Sequence, residues 1–444
     1  MTVSRTVCIG FLTVITIGTL LLMLPIATAS GEWNNPIVAL FTATSAVCVT
    51  GLIVVDTGSY FSPLGQGLIL LLIQLGGLGY MTATTFLLLL LGRRLGLKDR
   101  LAIQQSLDTA ELSGVRGLII SIISMTLIFE LSGAFLLMPQ LSEDYGTGQG
   151  LWLALFHSIS AFNNAGFSLF PDSLVRYGAS VWVSFVIAAL VVIGGIGYQV
   201  IMELFIWARN LIRGRRGRQV FSLHFKVVTS TSLVLLALGT VAFFFTEFAN
   251  AATLRGNPIP TKLLMATFQS VITRTAGFNS IDIGGMEKSS LFIAIALMFI
   301  GASPGSTGGG IKTTTVRILI NCTRAVLRGK DEVLCYQRQI PDTRIFKAVG
   351  VVVASGLTVV VVTILLSMTD PGIEFIDLLF EAVSAFATVG LSTGITADLS
   401  VLGQMVLIAT MFIGRVGILL LMAALLGDPS PSVIRYPEED LLVG

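Results

Sequence analysis

Four glycines recur in one setting along this chain. They close the cores of "LFTATSAVCVTGLIV" at Gly51, "LFHSISAFNNAGFSL" at Gly166, "TFQSVITRTAGFNSI" at Gly277 and "LFEAVSAFATVGLST" at Gly390. Phe41, Phe156 and Phe380 each stand ten residues before their glycine, and Ser45, Ser160 and Ser384 six before it. The third copy is looser, with Phe268 nine residues before Gly277 and Val271 in the serine position. The chemistry on offer is that of the main chain. Glycine accepts backbone conformations that a Cβ atom forbids, so peptide units beside it can turn their carbonyls inward. A ring of such carbonyls can replace the water shell of a dehydrated cation. The candidate filter is therefore Val49, Thr50 and Gly51; Asn164, Ala165 and Gly166; Thr275, Ala276 and Gly277; Thr388, Val389 and Gly390.

Two further features carry chemistry. "GASPGSTGGGIKTTT" places five glycines and Pro304 between Gly301 and Thr315, inside an otherwise apolar stretch. A helix running through it would lose a donor at proline and about 1 kcal/mol at each glycine. The sequence predicts a break there, and a hydroxyl-rich loop able to block or clear a path, with Gly305, Ser306, Thr307, Gly308, Gly309, Gly310 and Lys312 as gating candidates. The bland alternative is a loop that tops a helix. Arg415 stands alone in "LIATMFIGRVGILLLMAALL". A charge near a helix centre costs about 2.5 to 3.5 kcal/mol on insertion scales, so it should face an interior or wet cavity. Its expected roles are to cap carbonyls or pair with an acid such as Glu130, and to raise a barrier to cations. His157 and Cys48 read as packing residues, and Gln74 and Gln199 as candidates for bonds between helices.

The elements that must position these residues are membrane helices. The chain of 444 residues is 54% hydrophobic and 12% charged, with a mean hydropathy of +0.88. Apolar runs of about twenty residues, the length that crosses a bilayer core, begin near Val7, Gly65, Gly117, Ala179, Val227, Ala348 and Val401, with a shorter run over Ser289 to Ile300. The first reads as a retained helix, since further spans follow it. Each glycine copy lies between two runs, and 24 to 28 residues after each comes a second glycine: Gly76, Gly194, Gly301 and Gly414.

The repeating unit is span, short helix, glycine turn, span. Pro36, Pro260 and Pro371 suit a first helical turn, and twelve residues from Pro36 give about 18 Å, roughly half the core thickness. Irregular backbone at that depth survives only when buried in protein or lining a wet cavity. The fold expected is an all-α polytopic membrane protein of four covalently linked span/pore-helix/span repeats around one pseudo-fourfold ion pathway. The expected divisions are 1–100, 101–218, 219–335, with the broken second span, and 336–444 with a short tail. Lysines and arginines concentrate in Arg93 to Arg116, Arg209 to Lys226 and Lys312 to Lys347. The positive-inside rule then gives eight crossings with both termini cytoplasmic.

With these motifs in hand, the chain resembles the Ktr/Trk/HKT superfamily of potassium transporters over essentially its whole length. "VCVTGL", "NNAGF", "RTAGFN", "ATVGLSTG" and "GASPGSTGGGIKTTT" carry the likeness. Length and span count look closer to the Ktr membrane subunits than to the Trk ones, which have additional spans. The resemblance implies potassium at the carbonyls of Gly51, Gly166, Gly277 and Gly390. Sodium-selective plant relatives typically carry serine at the first of these places. It further implies sodium dependence, a gating role for the glycine-rich loop with Arg415 beside it, a homodimer with one pore per subunit, and a KtrA-type cytoplasmic nucleotide-binding subunit beneath.

Other function classes find little footing. Cys8, Cys48, Cys322 and Cys335 have no ligand spacing, and His157 and His224 lie far apart. No dinucleotide fingerprint, P-loop or nucleophile elbow occurs. "GSTGGG" as a phosphate cradle would need an acid or base nearby, and only Lys312 is at hand. The basic segment "RNLIRGRRGRQ" suits anionic lipid or a docked regulator, and nothing indicates nucleic acid. The alternative within transport is a sodium-selective or weakly selective cation pathway. The expected location is the cell membrane.

Overall fold

A computed structural model describes residues 3–79, 115–214 and 220–426. The helices follow the repeating order. The opening spans are α1 (Val3–Leu22), α4 (Val115–Tyr145), α8 (Leu223–Glu247) and α12 (Asp342–Thr369). All four are long and apolar enough to cross a bilayer, with only 28% to 33% of their most hydrophobic windows buried. Phe135, Leu233, Phe245 and Leu357 stand exposed on them. Apolar side chains turned outward along a whole helix are stable when the surrounding solvent is lipid.

The short helices show the inverse pattern. They are α2 (Pro36–Val47), α5 (Thr147–Phe162), α9 (Ile259–Ile272) and α13 (Phe375–Ala387). Their C-terminal halves are buried almost without interruption, as over Phe41–Val47 and Phe380–Ala387. Pro36 and Pro260 occupy the first turns of α2 and α9. Pro371 does not do so in the fourth unit, because α13 begins at Phe375 with Glu374 as its cap. The proline instead sits in the turn after Asp370, where its missing N–H costs nothing.

Closing helices are α3 (Pro63–Gly77), α6 (Val181–Ile196), α10 (Lys288–Phe299) and α14 (Val401–Val416). Neither α6 nor α14 continues straight, and α10 gives way to irregular backbone. α6 meets α7 (Tyr198–Ile212) at 107°, and α14 meets α15 (Ile418–Leu426) at 96°. Gly197 and Gly417 make the corners with φ of 96° and 88°, values open to glycine and strained for any residue with a Cβ. The sequence led us to expect a break in the third unit alone; the structure breaks units two and four as well. Among the described residues four helices are long and apolar enough to cross a bilayer singly, six spans result if each bent pair counts as one, and the closing helices α3 and α10 are shorter apolar helices.

After α10 the chain enters the irregular segment 300–312 and then α11 (Thr313–Val326). A small antiparallel hairpin, Leu334–Cys335 with Arg338–Gln339, precedes α12. The first basic segment as far as Gly114, the division at residue 100, residues 215–219 of the second basic segment and the C-terminal tail from residue 427 lie outside the described residues.

Candidate functional site

The four glycines meet. A Cβ built on Gly51 would strike the carbonyl oxygen of Ala165, one on Gly166 that of Ala276, one on Gly277 that of Val389 and one on Gly390 that of Thr50. The sequence of contacts runs from unit one to two, three, four and back to one. It closes a ring. The same hypothetical atom on Gly51 would lie 3.2 Å from the Cα of Gly166, and that on Gly390 would lie 2.9 Å from the Cα of Gly51. The backbones therefore touch with no room for side chains between them.

Local conformation repeats around this ring. Gly51, Gly166, Gly277 and Gly390 have φ of 94°, 69°, 68° and 90°, and Val49, Asn164, Thr275 and Thr388, two residues earlier in each unit, have φ of 56°, 58°, 75° and 50°. Left-handed backbone is costly for a β-branched residue such as Val49 or Thr388 and persists only where the surroundings over-determine it. Alternating left-handed and ordinary residues turns successive carbonyls toward one side instead of opposite sides. All twelve filter candidates are buried.

Several bonds anchor these turns. The N–H of Gly51 donates to Ser45 Oγ and that of Gly390 to Ser384 Oγ, each at 3.1 Å. Ser160 instead donates to the carbonyl of Phe167 at 2.8 Å. Unit three, with Val271, has no hydroxyl to give. The second-span glycines also repeat: a Cβ on Gly76, Gly194 or Gly414 would collide with the carbonyl of Val47, Phe162 or Phe386, the residue four before the ring glycine. These closing helices thus press directly on the ends of the short helices. Gly301 departs from the pattern, and its Cβ would meet the carbonyl of Gly309 in its own loop.

That loop packs against the residues that flank the ring. A Cβ on Gly308 would strike Thr275 and one on Gly309 would strike Thr388, both ring-flanking residues. Asn164 bridges the hydroxyls of Thr307 and Thr275 at 3.2 and 3.3 Å. Backbone bonds tie the segment to unit two: Ser303 N–H to Gly195 O at 3.1 Å, Thr307 N–H to Gly194 O at 3.3 Å and Tyr198 N–H to Gly305 O at 3.1 Å. Lys312 Nζ donates to Gly308 O at 2.7 Å, holding the loop on itself.

Arg415 donates to the carbonyls of Thr307 and Gly76, so it joins the loop to the closing helix of unit one. Of the two expected kinds of partner it takes carbonyls, and Glu130 is engaged elsewhere. The Glu130 carboxylate accepts from Asn163 Nδ2 at 2.8 Å and Gln74 Nε2 at 3.3 Å, and these donors already satisfy it at the seam of units one and two. Gln74 therefore does bond between helices. Arg415, Lys312 and Gly305–Gly310 line one cavity of about 450 Å³, together with Gly77, Gly194 and Gly414.

His157 is a packed contact, its ring 4.6 Å from that of Phe170, and Cys48 is fully buried. The Asn163, Gln74 and Glu130 cluster was not anticipated as a unit. Its signal in the sequence is three amide or acid side chains in apolar helices, where each needs a partner.

Known proteins resemble this chain over nearly its whole length. A family model described as "TrkH: Cation transport protein" matches residues 4–436. The chain is 41% identical to the Ktr system potassium uptake protein B of Bacillus subtilis, over 100% of this chain and 97% of that one. It is 39% identical to the protein of the same name from Vibrio alginolyticus, over 99% and 94%. The potassium/sodium uptake protein NtpJ of Enterococcus hirae is 37% identical over 98% and 96%. Among solved structures, the potassium transporter TrkH of Vibrio parahaemolyticus superposes with a TM-score of 0.71 at 18% identity, covering 94% of this chain and 84% of that one.

Proposed function

The chain belongs to the TrkH family of cation transport proteins, and from that premise we propose that it is the ion-conducting membrane subunit of a potassium uptake system. The observation that carries the reading is the closed ring of Gly51, Gly166, Gly277 and Gly390, built from left-handed backbone at matching places in four units. Potassium entering from outside exchanges its water for carbonyls of these turns, which act as the selectivity filter. The C-terminal, partially negative ends of the four short helices point at the same region and favour a cation there. The chain moves potassium down its electrochemical gradient, through one pathway shared by four pore repeats.

Below the filter, Gly305–Gly310 form the gate. The segment fills the space beneath Thr275 and Thr388 and is held shut by Arg415, Lys312 and Asn164. Arg415 also places a fixed positive charge on the cavity wall, which opposes a cation until the loop withdraws. A cytoplasmic nucleotide-binding subunit of the KtrA type sets the gate, and the chain acts as a homodimer in the cell membrane. Support for a second component comes from the word "system" in the names of the Bacillus and Vibrio relatives.

Sodium serves as a coupling or regulatory ion. The potassium/sodium name of the Enterococcus relative favours a role for both ions, and it also keeps a weakly selective pathway as the second reading. Uptake into potassium-starved cells lacking their own uptake systems, with and without a candidate cytoplasmic subunit and at varied sodium, tests both. Potassium uptake lost in Gly277→Ala supports the filter; sodium uptake without potassium discrimination replaces it with the second reading.

A further inference from the structure

One residue after each recurring phenylalanine the short helix carries a polar side chain: Thr42, His157, Gln269 and Glu381. All four are buried, at 2%, 1%, 0% and 0% exposure. Polar groups at matching places behind the glycine ring need a reason, since each must be satisfied inside the protein.

Units two and four show what the position does. In unit four the Ser392 hydroxyl donates to Glu381 Oε1, and the Thr396 hydroxyl donates to Oε2 at 3.1 Å. Ser392 Oγ also accepts the N–H of Gly394 at 2.9 Å and the Thr396 hydroxyl at 2.9 Å. Ser392 is the second residue past Gly390. In unit two His157 Nδ1 lies 2.8 Å from Leu153 O, which can only accept, so that nitrogen carries the proton and Nε2 is an acceptor. Nε2 lies 3.0 Å from Ser168 Oγ and accepts the N–H of Leu169 at 3.4 Å. Ser168 is the second residue past Gly166. Two chemically different side chains thus grip the same point of the outgoing strand.

Unit three lacks the grip. Gln269 has no partner at either polar atom of its side chain, and neither has the Ser280 hydroxyl on its outgoing strand.

We propose that Glu381 is a positioning residue for ion selection. Its carboxylate clamps the strand that leaves Gly390, so the Gly390 carbonyl holds its place in the ring, and His157 does the same for Gly166 through Ser168. A carboxylate accepting from hydroxyls makes shorter, stronger bonds than neutral pairs do. The two Glu381 oxygens are both taken up by Ser392 and Thr396 of the outgoing strand, so its role is to position the strand. A ring with such back-bracing cannot shrink freely onto the smaller sodium ion. Discrimination then depends on the brace as well as on the carbonyls.

This inference rests on the filter reading above. The test measures potassium and sodium uptake by Glu381→Ala, Glu381→Gln, Ser392→Ala and the Glu381→Ala/Ser392→Ala pair, with membrane abundance and detergent melting as controls. Glu381→Ala and Ser392→Ala should each lower the potassium-to-sodium ratio about tenfold, the scale of one buried hydrogen bond. The loss should appear as a raised KM for potassium at near-normal maximal rate, and the pair should be no worse than the worse single change, since both remove one interaction. Glu381→Gln, which keeps one acceptor, should fall between. If Glu381→Ala fails to accumulate, Ser392→Ala and Thr396→Val take its place, because they leave the carboxylate itself intact. An unchanged ratio in well-folded variants, or losses that simply add, overturns the inference while wild-type potassium uptake leaves the proposed function standing. Wild-type protein that moves no potassium overturns both.

Discussion

Unit three departs from the other three most at its closing helix, and under the proposed function that difference separates holding an ion from gating it. In units one, two and four the closing helix brings a glycine against the carbonyl of Val47, Phe162 or Phe386 and braces the end of the short helix. In unit three the corresponding glycine, Gly301, packs on its own loop, and the space beneath Thr275 and Thr388 is taken by Gly308 and Gly309. That unit also has Val271 where Ser45, Ser160 and Ser384 stand. Three quarters of the ring are buttressed by helices, while the fourth rests on irregular backbone. The proposed gate sits in that quarter, where a change need not dismantle the other three.

The comparison breaks most visibly at the second-span glycines. Gly194→Ala and Gly414→Ala should destabilise the protein by about 3 kcal/mol, the upper end of overpacking costs, because the new methyl meets a carbonyl at the buried end of a short helix, whereas at Gly301 the carbonyl it meets belongs to the irregular segment 300–312. Gly301→Ala should leave folding closer to normal and alter transport instead; melting and flux measured side by side check this. Equal destabilisation in all three would erase the distinction between units.

Removal of residues 305–310 should raise flux several-fold and abolish its dependence on a cytoplasmic subunit, while the potassium-to-sodium ratio stays within about twofold, since the loop touches the ring from below without replacing any of its carbonyls. Flux that does not change would leave the segment as packing. Arg415→Gln should have a smaller effect of the same sign, about twofold to fivefold, because a neutral amide can keep one carbonyl and gives up the charge. Arg415→Lys should lie between it and wild type, since an ammonium keeps the charge but cannot span Thr307 and Gly76 as a guanidinium fork does. Smallest of all, Val271→Ser should make unit three more like its neighbours and stabilise it by about 1 kcal/mol at most, the net worth of one hydrogen bond; a rise in melting temperature without a change in flux is the expected outcome.

Much of this was legible in the sequence because the same solution is written four times. The glycines, their phenylalanines and the flanking spans repeat at nearly fixed distances, and the looseness of the third copy marks the unit that departs in three dimensions. The break at Pro304 and Gly308–Gly310 announces itself by composition, as does the need for Arg415 to face an interior. What the sequence hid were features whose cause lies across units. The corners at Gly197 and Gly417 sit in uninterrupted apolar runs, so hydropathy reads them as straight, and only their positive φ reveals the turn. Arg415 was expected either to cap carbonyls or to pair with an acid, and the sequence could not say which carbonyls: those of Thr307 in the loop and Gly76 in unit one serve it. Glu130 is taken by Asn163 and Gln74, a choice set by packing between units. The polar layer at Thr42, His157, Gln269 and Glu381 was in plain view but carries no shared residue type, so its regularity appears only when the helices are superposed by their phenylalanines.

The central claim is that four distant glycines act as one filter, and the most direct measurement is the potassium-to-sodium uptake ratio of Gly51→Ser, Gly166→Ser, Gly277→Ser and Gly390→Ser, each compared with wild type at matched abundance. Every one of these side chains would enter the carbonyl of the next unit, so all four ratios should fall, by about tenfold or more on the scale of a strained and displaced backbone turn. A variant at any one of the four positions that keeps the wild-type ratio would contradict the ring.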